Sequence, residues 1–290
     1  MSTEYADPRF ADLDAWPLEQ AVEIMWEGQM AAAAAVQHAL PQISNAAAMA
    51  ADRLGSNGRL IYAGAGTSGR IAVQDGAELG PTFNWPAVRL AFAMAGGERA
   101  LISSVEDAED DQAAGAARVA EVNAGPFDVL IGVSASGSTP YTLGAIGEAR
   151  NRGALTVGLA CNPGSKLLAA AEHPVLLETG SEVLAGSTRM KAGTAQKIAL
   201  NLFSTAIMIR LGGVYKGQMV DMRPTNAKLR IRATNMVADL AGCTQGVAAE
   251  ALETSGGQIK LAVLVASGNS LAMAQEKLVA NGGNLRKALG

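Results

Sequence analysis

Residues 59–69 read RLIYAGAGTSG, an apolar run of strand length that enters a glycine-rich turn and then a segment with helical character. Further short apolar runs follow at Val88–Met94, Asp128–Val133, Ala154–Ala160 and Pro174–Leu177, separated by segments with helical periodicity. This alternation of strands and helices is typical of βαβ units. It predicts an α/β fold, a three-layer αβα sandwich whose mostly parallel sheet is covered by helices on both faces.

Helices are predicted on both sides of this alternation, over 17–40 and 41–55 before it and over 188–211 after it. Past Asn226 the chain is helical throughout, with glycines at the breaks, which predicts a small C-terminal helical bundle. The expected core contacts of the first helix are Leu18, Val22, Met25, Val36 and Leu40. The predicted domains are N-terminal helices over 1–55, a ligand-binding domain over 56–225 and a helical domain over 226–290.

Composition indicates a folded protein with one large core or one core with an appendage, because 49% of the 290 residues are hydrophobic and only 17% are charged. A net charge of -4 and the lack of a lysine or arginine run argue against a nucleic-acid partner. Cys161 and Cys243 lack neighbours at metal-ligand spacing, so we interpret both as small apolar residues.

The cellular compartment is predicted from the chain start and from the lengths of the apolar runs. Residues 1–10 include Glu4 and Asp7 and lack the apolar core of a signal peptide. Runs such as Leu261 to Ala266 are far shorter than the roughly 20 apolar residues that a membrane span needs. We therefore expect a cytoplasmic protein without a membrane partner.

The loop after the first strand, residues 64–69, fits the dinucleotide-binding pattern G-x-G-x-x-G. A nicotinamide site also requires an acidic residue at the end of the second strand, where it binds a ribose hydroxyl. Here the second strand ends in Met94-Ala95-Gly96-Gly97, and Glu98 comes late. The dinucleotide interpretation is therefore weak.

A second loop follows the strand that ends at Val133 and offers four hydroxyls within the six residues 134–139, SASGST, before Pro140 opens a helix. Two hydroxyl-rich loops that each run from a strand into a helix can form a paired anion cradle. Backbone N–H groups and helix dipoles bind a phosphate there without a cluster of cations. The alternative for each hydroxyl taken alone is an ordinary helix cap.

These two loops resemble those of the sugar isomerase (SIS) family of phosphosugar-binding domains. Further segments resemble, in order, the N-acetylmuramic acid 6-phosphate etherases, and the likeness runs from about Pro8 to the C-terminus. The segments are YAGAGTSG at 62–69, DGAE at 75–78, PTF at 81–83, AGGE at 95–98, VEDAEDD at 105–111, CNPGS at 161–165, GSTRMKAGTAQK at 186–197 and MVDMRPTNAKL at 219–229.

The resemblance implies a carbon-oxygen lyase that cleaves the C3 ether between D-lactate and N-acetylmuramic acid 6-phosphate during cell-wall sugar recycling. It implies no metal, no redox cofactor, and a homodimer in which a SIS domain precedes a small helical bundle. The family's two catalytic glutamates fall on Glu78 and Glu109. The implied phosphosugar contacts are Thr67, Ser68, Ser134, Ser136 and Thr139, with Ser187 and Thr188 as further hydroxyls. We add Gly66, Gly137, Ser138, Arg189 and Lys191 as predicted substrate-binding residues.

Elimination from an opened sugar requires one group that removes the C2 proton and another that protonates the leaving lactyl oxygen. We assign Glu109 as the base, because four neighbouring acids favour proton uptake there, and Glu78 as the acid. An exposed helix start is the alternative for the acidic run. We expect Arg189 or Lys191 to neutralise the phosphate or the lactyl carboxylate, with a solvated helix face as the alternative.

The chain departs from the family pattern at two places. Ser138 stands where the family commonly has arginine, and Ala77, Leu79 and Gly80 replace the usual Ser, Cys and Pro around Glu78. These departures can change the position of the proposed acid, Glu78, and the substrate that the enzyme accepts. The rival functions are a non-catalytic sugar-phosphate sensor and an aldose–ketose phosphate isomerase, and a dehydrogenase is more distant.

Overall fold

Five parallel strands form the central sheet of the computed structural model, which describes residues 2–290. They lie in the order β2-β1-β3-β4-β5 and all pair in parallel, so the predicted α/β fold is confirmed. A two-stranded antiparallel hairpin, β6 and β7, follows later in the chain. The strands are β1 (Leu60–Gly64), β2 (Leu90–Met94), β3 (Val129–Ser134), β4 (Leu155–Ala160), β5 (His173–Leu176), β6 (Val214–Tyr215) and β7 (Gln218–Met219).

Helices precede, separate and follow these strands, as the sequence predicts. Two lie before the sheet, five alternate with or follow its strands, and the rest form the predicted C-terminal helical region. They are α1 (Leu18–Gln37), α2 (Leu40–Leu54), α3 (Gly66–Phe83), α4 (Gln112–Glu121), α5 (Pro140–Asn151), α6 (Lys166–Ala170), α7 (Lys191–Arg210), α8 (Ala227–Ala241), α9 (Gln245–Thr254), α10 (Ile259–Ala266), α11 (Leu271–Ala280) and α12 (Leu285–Leu289).

Helices cover both faces of the sheet, and for that reason β1, β3 and β4 are buried at every position. Ile61 of β1 and Leu130 of β3 pack in one cluster with residues of α4, α5 and α6. The next side chain along β1, Tyr62, points to the other face and meets α3. Gly76 makes this contact close, because a Cβ there would lie 2.9 Å from the Tyr62 ring.

The strand order creates a crevice at the carboxyl edge of the sheet. β1 and β3 are neighbours, yet the helices that follow them, α3 and α5, cover opposite faces. Ligands in open α/β sheets bind at such a switch point. Both hydroxyl-rich loops begin at this edge, the first after Gly64 and the second at Ser134.

The first helix differs from the sequence expectation in the face that it buries. Val36 is buried as predicted and Met25 is partly buried, but Leu18, Val22 and Leu40 are exposed. α1 instead packs through small residues such as Ala21 and Ala32. Leu18, Val22, Trp26 and Met30 of α1 are therefore left on the surface of the chain.

The chain clusters into two compact units. One contains the residues up to Ala77 together with Ala87–Ser204, and the other contains Glu78–Pro86 together with Thr205–Gly290. The second unit has its own apolar core and a Lys260–Asp221 ion pair of 2.7 Å. The predicted three-part division into 1–55, 56–225 and 226–290 stays a prediction.

No helix among residues 2–290 has both the length and the apolar character required to cross a membrane.

The two cysteines are expected to differ in reactivity. Burial raises the pKa of the Cys161 thiol to about 12, so it stays a neutral, inaccessible thiol near neutral pH, while Cys243 is partly exposed. Ellman's reagent should titrate one thiol per native chain rapidly and two after denaturation. Loss of the rapid phase in Cys243→Ser is the control, and a rapid phase in that variant would contradict the expectation.

Candidate active site

Three hydroxyls of the second loop converge where β3 ends. Ser134 Oγ lies 2.8 Å from Thr139 Oγ1 and 3.3 Å from Ser136 Oγ, and it accepts a 3.0 Å hydrogen bond from the N–H of Gly137. Thr139 is the N-cap residue of α5, yet its side chain makes no capping hydrogen bond. The hydroxyl group of Thr139 therefore belongs to a polar cluster at the start of a helix rather than to a cap.

Gly137 is required in this loop for two reasons. Its φ of +68° lies in the left-handed region, and a Cβ there would overlap the Ser165 side chain. The backbone consequently turns tightly enough for the N–H of Ser138 to donate to Ser136 Oγ over 3.1 Å. The SASGST segment thus forms a compact cradle of hydroxyls and backbone N–H groups.

The first loop begins α3 at Gly66 and is held by α7. Ser68 is buried, and its hydroxyl donates a 3.0 Å hydrogen bond to Gln196 Oε1. A Cβ on Gly193 of α7 would lie 3.6 Å from Thr67 Cγ2 and 3.3 Å from the Thr188 carbonyl oxygen. The structure therefore brings part of the GSTRMKAGTAQK segment against the first loop.

Glu109 lies between the two loops. The side-chain Oε2 atom of Glu109 is 4.0 Å from the position that a Cβ on Gly66 of the first loop would occupy. The backbone carbonyl of Glu109 accepts a 3.0 Å hydrogen bond from the backbone N–H of Tyr141 in α5, the helix that follows the second loop. Gly66, Thr67 and Glu109 line one cavity of about 320 Å³. An exposed carboxylate is thus positioned at the switch point of the sheet, where a ligand held by either loop can meet it.

The acidic run around Glu109 divides into parts with different roles. Asp111 caps α4 by accepting a 2.8 Å hydrogen bond from the N–H of Ala114, so the helix-start alternative holds for that residue. Glu109 precedes the helix. Asp107 has a φ of +60°, a conformation that few residues other than glycine adopt, and Ala108 packs against the apolar residues Ala65, Ala95 and Tyr141. These contacts hold the segment that carries Glu109 in a fixed conformation.

A buried carboxylate that the sequence reasoning missed occupies the start of α7. Glu182 accepts 2.9 Å hydrogen bonds from the backbone N–H groups of both Lys191 and Ala192, and burial raises the pKa of its carboxyl group. The Lys191 ammonium donates to the Ser181 carbonyl over 2.8 Å. Arg189 is exposed and makes no hydrogen bond or ion pair to another described residue, so its guanidinium is the more available of the two predicted cations.

Glu78 lies on the exposed surface of α3, one turn beyond a buried anchor. That anchor is Asp75, whose carboxylate accepts hydrogen bonds from Tyr62 at 2.8 Å, Asn201 at 2.6 Å and Ser204 at 3.2 Å. Burial raises the pKa of the Asp75 carboxyl group. Glu78 belongs to the second compact unit, so its approach to Glu109 stays a prediction.

A second cavity, of about 390 Å³, lies beside the SASGST loop and contains further residues that the sequence reasoning missed. Ser136 and Ser138 line it together with Ser165 and Lys166. The Ser165 hydroxyl is buried and has no hydrogen-bond partner among the described residues. Lys166 therefore contributes a cationic residue to the lining of the cavity that Ser138 also lines.

Comparisons with known folds and families agree with this architecture. Residues 42–150 match the family model of the glucokinase regulatory protein N-terminal SIS domain, and residues 105–206 match that of the SIS domain. The structure of a phosphoheptose isomerase from Francisella tularensis superposes with a TM-score of 0.51 at 21% identity, covering 67% of this chain and 98% of that one. This structural likeness supports the SIS fold alone.

Curated relatives match the chain over nearly its whole length, and two of them show the family. An N-acetylmuramic acid 6-phosphate etherase from Deinococcus radiodurans is 51% identical, with 99% of this chain and 95% of the relative covered. An enzyme of the same name from Rubrobacter xylanophilus is 46% identical over the same shares of the two chains. The chain therefore belongs to the N-acetylmuramic acid 6-phosphate etherase family.

Proposed function

We propose that this protein is a carbon-oxygen lyase that converts N-acetylmuramic acid 6-phosphate and water into N-acetylglucosamine 6-phosphate and D-lactate. The reaction serves the recycling of cell-wall sugars. Family membership over 99% of the chain carries this conclusion. The site supports it, because a hydroxyl cradle suited to a phosphate lies next to an exposed carboxylate at the switch point.

The phosphate of the substrate binds the SASGST loop in this proposal. The Ser134 hydroxyl lies within hydrogen-bonding distance of the hydroxyls of Ser136 and Thr139, and each of the three can direct its hydrogen to a phosphate oxygen. The start of α5 adds backbone N–H groups and the positive end of its dipole. Thr67 and Ser68 of the first loop, with Ser187, Thr188 and Arg189, bind the remainder of the substrate.

Glu109 removes the C2 proton of the opened sugar, and the adjacent aldehyde delocalises the electron pair as an enolate. Glu78 protonates the lactyl oxygen while the C3–O bond breaks, and D-lactate leaves. Water then adds to C3 of the unsaturated aldehyde, and a proton returns to C2. Because the substrate's own aldehyde stabilises the charge, this route requires neither a metal ion nor a redox cofactor.

The main rival is a sugar-phosphate sensor, and the match of residues 42–150 to the glucokinase regulatory protein SIS domain favours it. A sensor binds the phosphosugar without changing it, whereas a lyase releases D-lactate. Incubation with N-acetylmuramic acid 6-phosphate and a D-lactate dehydrogenase assay separates the two. Binding without D-lactate formation would refute the lyase, and isomerised sugar without lactate would indicate an aldose–ketose isomerase.

Lys166 is expected to help hold the anionic substrate. Lys166→Met should raise KM about tenfold with a smaller change in kcat, because a charged hydrogen bond contributes about 1.5–3 kcal/mol. Steady-state kinetics measure the effect. Lys277→Met, at a lysine of α11 outside this cavity, is the matched control, and equal KM values in the two variants would exclude the role.

We place the enzyme in the cytoplasm. Its substrate carries a phosphate, and an ionised group does not cross the apolar interior of a membrane at useful rates. Both cysteines are free thiols, which suits a reducing compartment.

A homodimer is the proposed assembly, and an apolar stripe on α1 is the proposed contact surface. Leu18, Val22, Trp26 and Met30 recur every four residues and are exposed, Leu18 by 78% and Trp26 by 61%. Side chains four apart lie on the same face of a helix. If a second copy of the chain packed its own α1 stripe against this one, the apolar side chains of both stripes would be removed from water.

Trp26→Asp should shift the protein from dimer to monomer, because the carboxylate would be desolvated at the contact between two stripes. Sedimentation velocity gives the ratio of the two species over a range of concentrations. Gln20→Asp introduces the same charge on α1 away from the stripe and should leave the dimer intact. An unchanged dimer in Trp26→Asp would place the interface elsewhere.

A further inference from the structure

A cavity of about 610 Å³ lies within the second compact unit, and none of the described residues that line it is assigned to the lyase site. We call it the arginine cavity and define it by Arg223, Pro224, Arg230, Ala249, Leu252 and Glu253. Its volume falls within the roughly 300–1,000 Å³ typical of small-molecule sites. It also accounts for part of the MVDMRPTNAKL segment, to which the proposed mechanism gives no role.

Two guanidinium groups line the arginine cavity without protein partners. The guanidinium groups of Arg223 and Arg230 make no hydrogen bond or ion pair to another described residue. Arg59 and Arg150, by contrast, are engaged: Arg59 pairs with Asp128 at 2.7 Å, and Arg150 donates to the Ala170 carbonyl at 2.8 Å. Unpaired guanidinium groups in one cavity suit the recognition of a carboxylate or phosphate.

The charge and polarity of the lining define the ligand more closely. Two arginines and the single acid Glu253 give the lining a net charge of +1, from +2 and -1. The remaining wall is largely apolar, with Pro224, Ala249 and Leu252 contributing to it. An anionic head group joined to an apolar body matches both features.

The cavity walls are held in place before any ligand binds. Just before Arg223, Asp221 forms a 2.7 Å ion pair with Lys260 of α10, and Met222 is buried in the core of the unit. The Pro224 ring lies against Gly257, since a Cβ there would be 3.3 Å from Pro224 Cγ. A preformed site loses less conformational entropy when it binds its ligand.

We propose that the arginine cavity binds a small organic anion, a phosphate or carboxylate head on an apolar body, and that Arg223 and Arg230 hold the head group. This binding is independent of the lyase reaction, so either proposal can fail without the other.

Methyl NMR of the full chain reads the site directly, because Ala249 and Leu252 provide methyl groups in the cavity wall. Phenyl phosphate and benzoate are the two probes, and at least one should shift these signals saturably. The probe that binds with the higher affinity identifies the preferred head group, a phosphate or a carboxylate. Inorganic phosphate lacks the apolar body and should bind at least about tenfold more weakly. Absence of saturable shifts with both probes, or equal shifts with benzyl alcohol, would overturn the proposal.

Charge removal tests the two arginines. Arg223→Gln and Arg230→Gln should each weaken binding of the better probe about tenfold, as expected for loss of a charged hydrogen bond. Arg232 lies on α8, as Arg230 does, but outside the cavity. The control variant Arg232→Gln should therefore change the affinity for the probe less than about twofold. Unchanged affinity in both cavity variants, each shown to be folded by thermal unfolding, would also overturn the proposal.

Discussion

Glu109→Gln is expected to stop both hydrogen exchange at C2 and D-lactate release, with kcat lowered by about 10²–10⁴. Glutamine keeps the shape of the side chain next to Gly66 but cannot accept the C2 proton. Proton NMR of the substrate in heavy water follows the exchange, and a D-lactate assay follows the elimination.

The matched control for this variant is Asp110→Asn, which removes the adjacent exposed charge without touching the proposed base. It should retain most of the activity. If Glu109→Gln still exchanged the C2 hydrogen at the rate of the unmodified enzyme, the proton would be removed by another group. The assignment of Glu109 as the base would then be wrong.

Glu78→Gln should separate the two halves of the reaction. The C2 hydrogen should still exchange, because Glu109 remains. The rate of D-lactate release should fall by a factor of about 10²–10⁴, because no acid protonates the leaving oxygen. The same two assays measure this variant.

Loss of exchange together with lactate release in Glu78→Gln would mean that the roles of the two glutamates are reversed or wrong. Glu250→Gln, an exposed glutamate of α9, controls for removal of one charge from the second compact unit and should keep full activity. Because the approach of Glu78 to Glu109 is itself a prediction, this pair of measurements also tests whether the two side chains serve one site.

The central sheet could be predicted because each of its strands has a local signal. Apolar runs between glycine-rich turns located β1 and β3 to within about one residue. β2 starts later than expected, at Leu90, because the preceding residues Ala87–Arg89 form a short 3-10 turn. The two hydroxyl-rich loops could be predicted equally well, since each directly follows its strand in the sequence.

Contacts between distant segments could not be predicted in this way. Ser68 meets Gln196 from 128 positions away, and Lys166 joins the cavity of Ser138 only through the fold. Leu18 and Val22 of the exposed stripe on α1 are predicted as core contacts and are not buried, because periodicity alone does not say which apolar face of a helix is buried and which stays on the surface of a single chain.

The most direct test of the account is to incubate the protein with N-acetylmuramic acid 6-phosphate in heavy water and analyse both products. Proton abstraction at C2 followed by elimination and hydration predicts that D-lactate is released and that every molecule of N-acetylglucosamine 6-phosphate carries deuterium at C2. Release of D-lactate with the original hydrogen still at C2 would contradict the mechanism, and substrate bound but unchanged would contradict the activity.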